Sequence, residues 1–78
     1  MNFQSSFQLN VGELSGIYFT LLKEEDFDFK TKNISVDIEK KDTIIEILIK
    51  ANSLLEIKIG TTAIIKSLEI IEKVIKNG

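Results

Sequence analysis

Seventy-eight residues carrying twelve acids and ten bases, every base a lysine, give one small domain of net charge −2. That balance argues against a strong general affinity for nucleic acid or anionic lipid. With neither cysteine nor histidine, the commonest general base, nucleophile and zinc ligands are missing, and no disulfide can staple the fold.

Hydrophobic residues make up 44% of the chain, yet no apolar run approaches the ~20 residues of a membrane span. Met1-Asn2-Phe3-Gln4 lacks the basic start and apolar core of a signal peptide, so a cytoplasmic protein with no membrane role is expected. Proline is absent and isoleucine fills fourteen positions, which favours regular packed elements over linkers. No internal repeat is visible.

Phe3, Ser5, Phe7 and Leu9 alternate with Asn2, Gln4, Ser6, Gln8 and Asn10, the pattern of a half-buried strand with one polar face. Asn10 is placed to cap a helix beginning just after it. Val11, Leu14, Ile17, Tyr18, Leu21 and Leu22 recur at three- and four-residue steps, predicting a helix from about Val11 to Glu24. Gly12 and Gly16 weaken that helix by ~1 kcal/mol each relative to alanine, and a close approach to the sheet or to the last helix would explain them. Phe19 points off the stripe and is expected to wrap the helix edge or to meet a partner.

Residues 24–32, with Glu24, Glu25, Asp26 and Asp28, have no helical period and read as a connection. Ile34, Val36 and Ile38 alternate with polar neighbours as a second strand. Lys40-Lys41-Asp42 fits a hairpin turn. The third strand, Thr43 to Ala51, is apolar on Ile45, Ile47, Ile49 and Ala51, while Ile44 and Leu48 mark its other face. Being apolar on one face and partly so on the other suits the centre of a sheet.

The last helix runs from Ser53 to Asn77. Ser53-Leu54-Leu55-Glu56 is a capping box, in which serine and glutamate each take an orphan N–H of the first turn. At ~100° per residue, Ile57, Thr61, Ile64, Leu68, Ile71 and Ile75 share a stripe that can seal a small sheet, with Leu68 at its centre. Ile59, Ala63, Ile70 and Val74 form a second apolar sector, with Gly60 and Ser67 between the two, small residues expected to leave a shallow groove for a partner helix. Lys58, Thr62, Lys66, Glu69, Lys73 and Lys76 lie opposite. This apolar arc exceeds the ~100° that docking on a core requires, so the second sector is expected to bind a partner; packing against the first helix through Leu14, Ile17 and Leu21 is the alternative.

The order of elements predicts an α+β fold: a two-layer β-α-β-β-α domain over residues 1–78. A right-handed crossover through the first helix leaves strands one and two parallel, and the hairpin returns strand three between them. Sheet order is then 1-3-2, with both helices on one face, a polar open face, and two edge strands available to a second chain.

Chemistry finds little purchase. The acids of the 24–32 connection match neither a pair of carboxylates held in a dry cleft nor a calcium loop. Gly60 stands alone in a helix, and Gly12 and Gly16 lack the pattern of a phosphate cradle. Lys58, Lys66, Lys73 and Lys76 share a helical face, but Glu69 and Glu72 interrupt it, and no aromatic stacks beside it. No catalytic residue, cofactor or metal is expected.

Strand, helix, hairpin, and then Ala51-Asn52-Ser53-Leu54-Leu55-Glu56-Ile57-Lys58 entering a long apolar helix resemble the small Pcc-type subunits of the KEOPS complex. The resemblance spans nearly the whole chain. In that family the last helix opens with alanine and a small or acidic cap, followed by a Leu-Arg pair, an asparagine and a second Leu-Arg pair. Ile57-Lys58 and Ile65-Lys66 stand at the two pairs and Ser53 at the cap. Ile17-Tyr18 with Thr20-Leu21-Leu22 is similar to the family's first helix, which commonly ends Ala-Leu-x-Pro-Glu. Thr62 replaces the asparagine, lysine replaces each arginine, and Lys23 stands where proline is expected before Glu24; such departures fit a divergent member or paralogue.

What the resemblance implies is an assembly role. KEOPS makes threonylcarbamoyladenosine at position 37 of tRNAs, and its Pcc-type subunit is noncatalytic: it dimerises through its sheet and docks its helices on the catalytic transferase subunit. The partners implied are that subunit or a paralogous Pcc-type subunit, in a homo- or heterodimer, with tRNA engaged only indirectly. Ile59, Ala63, Ile70 and Val74 are the expected partner-binding face, and Lys58 and Lys66 the candidate polar or tRNA contacts. Two other classes fit the pattern less well. One is a small KH-like RNA-binding domain, whose GXXG loop this chain lacks. The other is a free-standing structural homodimer or small-ligand binder.

Overall fold

A computed structural model describes residues 2–25, 27 and 33–77. Strand β1 spans Phe3–Asn10, a one-turn 3-10 segment spans Gly12–Leu14, and helix α1 spans Ser15–Glu24. Strands β2 (Ser35–Lys41) and β3 (Ile44–Ala51) form a hairpin, and helix α2 spans Leu54–Asn77. The connection containing Asp26, Asp28 and residues 29–32 lies outside the described residues, apart from Phe27, which packs against the core.

The sheet has the order β1-β3-β2, with both outer strands antiparallel to β3 and so parallel to each other. Register agrees with the side-chain alternation. Phe7, Ile47 and Ile38 share one rung, and Ser5, Ile49 and Val36 the next, all pointing to the core face. Slipping by one residue would turn every one of these side chains to the wrong side. Leu22, Ile45, Ile47, Ile49 and Ile64 are completely buried, each stabilising the fold by ~1.5–3 kcal/mol relative to an exposed position. On the open face Glu46 accepts a hydrogen bond from Gln8 Nε2 (3.2 Å) and pairs with Lys41 Nζ at 3.4 Å.

Both helices cover the core face, α1 over β2 and β3, and α2 over β3 and β1, and they touch one another. The start of the helical segment differs from a continuous helix beginning at Val11. Gly12 has φ +56°, a left-handed conformation that glycine adopts without the steric cost of a Cβ, so the chain takes a 3-10 turn before α1 begins. Asn10 Oδ1 accepts the Gly12 N–H at 3.4 Å, and Ser15 Oγ donates to the Asp42 carbonyl at 3.3 Å, tying the start of α1 to the hairpin.

Neither Gly12 nor Gly16 lies at a close approach, since a Cβ on either would meet nothing within 4 Å among the described residues. Leu14 and Ile17 are exposed rather than part of the α1 core stripe, which consists of Tyr18 and Leu22 flanked by Leu21 and Phe19. Phe19 wraps the helix edge, half-buried, with Lys23 Nζ 5.9 Å from its ring centre. The hairpin turn is Asp42-Thr43, two residues between Lys41 and Ile44, rather than Lys40-Lys41-Asp42. Asp42 takes φ +56°, which aspartate tolerates better than most residues.

Candidate functional site: the outward face of α2

Helix α2 begins as its sequence dictates. Ser53 Oγ accepts the Glu56 N–H at 3.2 Å and donates to Glu56 Oε1 at 3.1 Å. The Glu56 carboxylate also accepts the Asn52 N–H at 3.2 Å, one residue before the position a capping box usually serves. Fixing this end sets which residues of the next six turns face the sheet.

The sheet-facing stripe holds Gly60, Ile64, Ser67 and Ile71, all buried, with Ile57, Thr61, Leu68 and Ile75 half-buried at its margins. Gly60 and Ser67 therefore lie beneath the helix and do not border an outer groove, as the helical period alone suggests. A Cβ on Gly60 would stand 3.0 Å from Ile49 Cγ2 and 3.2 Å from Ile34 Cγ2. Glycine is what lets α2 settle onto the sheet here. Leu68 is off-centre, lining a shallow hollow with Leu9, Val11, Tyr18 and Ile65.

The second sector remains uncovered. Ile59 is 43% exposed, Ile70 58% and Val74 59%, while Ala63 is half-buried. With Leu14 and Ile17 exposed as well, packing of this sector against α1 is ruled out. Ile59 and Ala63 come together with Leu55, Thr62, Lys58 and Lys66 around an open groove of about 390 Å³. Ile70 and Val74 continue the face further along the helix and do not line that groove. Leu55, 66% exposed, belongs to the same uncovered apolar surface, whereas Leu54, 68% exposed, lies ~100° round the helix from Leu55 and does not line the groove. The signal of Leu55 is present in the sequence: Leu55, Ile59 and Ala63 recur every four residues, as Ile70 and Val74 do. It reads as part of the cap because Ser53 and Glu56 bracket it.

Comparisons with protein-family models, curated proteins and solved structures gave no match. The residues themselves therefore carry the reading of the site. Lys58 and Lys66 are exposed, and the ion pairs among the described residues are Lys41–Glu46 and Lys76–Glu72. No group of three or more acids among the described residues is placed to hold a metal. No described helix is long and apolar enough to cross a membrane.

Proposed function

We propose that this chain is a noncatalytic interaction subunit that docks on another protein through the outward face of α2. The observation that carries this reading is the row of large apolar side chains (Leu55, Ile59, Ile70 and Val74) left open on a helix whose opposite side already seals the core. Contiguous exposed apolar patches of this kind mark interaction sites or ligand-binding grooves.

In its finer form the proposal is that the chain serves as a Pcc-type subunit of the KEOPS complex, a divergent member or paralogue. It would assemble with the catalytic transferase subunit or with a second small subunit in the cytoplasm. The order of elements, the sheet order and the Ile57-Lys58 and Ile65-Lys66 pairs support this form. Affinity purification from native extract followed by mass spectrometry tests it. Recovery of the transferase and kinase subunits is the expected result; RNA copurifying without them would replace the proposal with an RNA-binding one.

A further inference from the structure

The groove on α2 has a charge character of its own. Its floor is Leu55, Ile59 and Ala63, its polar lining is Thr62, Lys58 and Lys66, and no acid among the described residues lines it. Glu56 is held in the helix cap by Asn52 and Ser53, Glu72 pairs with Lys76, and Glu69, exposed one turn beyond Lys66, lies outside the groove lining. Neither lysine of the groove is paired among the described residues. In a chain of net charge −2, this is a locally cationic apolar surface.

Resting on the reading of α2 as a docking face, we infer that the groove selects an acidic amphipathic helix. Apolar side chains of that helix would fill the space over Leu55, Ile59 and Ala63, and its carboxylates would meet Lys58 and Lys66. Groove geometry suits a helix: apolar residues four apart on α2 form a ridge against which a second ridge packs at ~8–10 Å between axes. Eight residues separate the two lysines, ~12 Å along the axis at 1.5 Å per residue. The matching carboxylates on the partner are therefore two turns apart, at positions i and i+7 or i+8.

A second copy of this chain is a poor occupant. A symmetric pairing of two such faces would bring lysine against lysine, and like charges across an interface are a cost that selects against the wrong partner.

Titration of the full-length isotope-labelled protein with two synthetic amphipathic helical peptides tests the inference. Both peptides carry the same leucine stripe, one flanked by glutamates two turns apart and the other by lysines at the same places. The acidic peptide is expected to bind at least tenfold more tightly, shifting amide signals from Leu55 to Lys66, with the preference shrinking as salt rises. In Lys58→Glu/Lys66→Glu the preference should invert, and in Lys58→Gln/Lys66→Gln it should vanish while the circular dichroism stays unchanged.

Equal binding of both peptides, binding of neither, or a preference for the basic one overturns the inference. So does an RNA oligonucleotide that shifts the same amides when the acidic peptide does not. The two proposals fail separately. Purification that recovers the transferase alongside peptides that do not discriminate would leave the docking role standing and remove the charge selection. A tenfold acidic preference without KEOPS subunits in the purification would leave the charge-selective docking face standing and remove the KEOPS form of the proposal.

Discussion

The two sides of α2 are built from the same residue types and have opposite fates. Toward the sheet, Ile64 and Ile71 are buried beside Ser67 and Gly60, and the missing Cβ of Gly60 lets the helix settle. Away from it, Ile59, Ile70 and Val74 are as apolar and lie open to water. Composition does not separate them; the neighbours do. The inner side meets Ile45, Ile47 and Ile49 of the central strand, whereas the outer side meets nothing among the described residues that buries it. An isoleucine is a core residue only when something covers it, so substitutions on the two sides should behave differently.

The largest effect belongs to the inner side. Ile64→Ala removes a fully buried side chain and should cost about 2–5 kcal/mol, a large share of a total stability of ~5–15 kcal/mol; urea unfolding measures it directly. Gly60→Ala comes next. Alanine improves helix propensity by ~1 kcal/mol, but its Cβ would press on two branched methyls at 3.0 and 3.2 Å. Neither methyl can turn aside without rotating a packed isoleucine, and such overpacking costs ~1–3 kcal/mol. A net loss is therefore expected in the same melts.

Ser53→Ala strips the cap from α2 and should cost ~1 kcal/mol, seen as a lower unfolding midpoint with an unchanged denaturant slope. Gly16→Ala is the contrasting glycine: its surroundings are open and it sits within α1, so thermal melts should show stabilisation by up to ~1 kcal/mol. Least of all, Ile70→Glu should shift stability by no more than ~0.5 kcal/mol, because it exchanges one solvent-exposed side chain for another.

Much of this architecture is legible in the sequence, for definable reasons. Strict alternation in β1 and β3 sets their faces, and the apolar second face of β3, with Ile44 and Leu48, places it centrally. The α2 cap is readable from Ser53 and Glu56 because capping is local chemistry. Helical period alone cannot tell which apolar arc of α2 meets the sheet. By that period Gly60 and Ser67 lie between the arcs, and only the approach of Ile49 and Ile34 shows that small size is required at Gly60.

For the same reason Leu68 reads as the centre of the stripe, when Ile64 occupies it. In α1, the left-handed Gly12 tightens the first turn and shifts the helix, leaving Leu14 and Ile17 outside. The outward sector is visible as surplus apolar surface, but Leu55 is masked because it sits inside the cap signature. Lys58 and Lys66 are readable as an exposed pair; their place beside an acid-free apolar groove needs the fold.

The central claim is that α2 serves the core on one side and another chain on the other. It is tested most directly by affinity purification from native extract with the wild-type chain and Ile70→Glu side by side. Burying an unpaired carboxylate in a contact costs several kcal/mol, so the substitution should empty the purification of its specific partner while the far-ultraviolet circular dichroism and the melt stay as they were. Recovery of the same proteins at the same yield by the folded variant would contradict the claim, as would an Ile70→Glu chain that no longer folds.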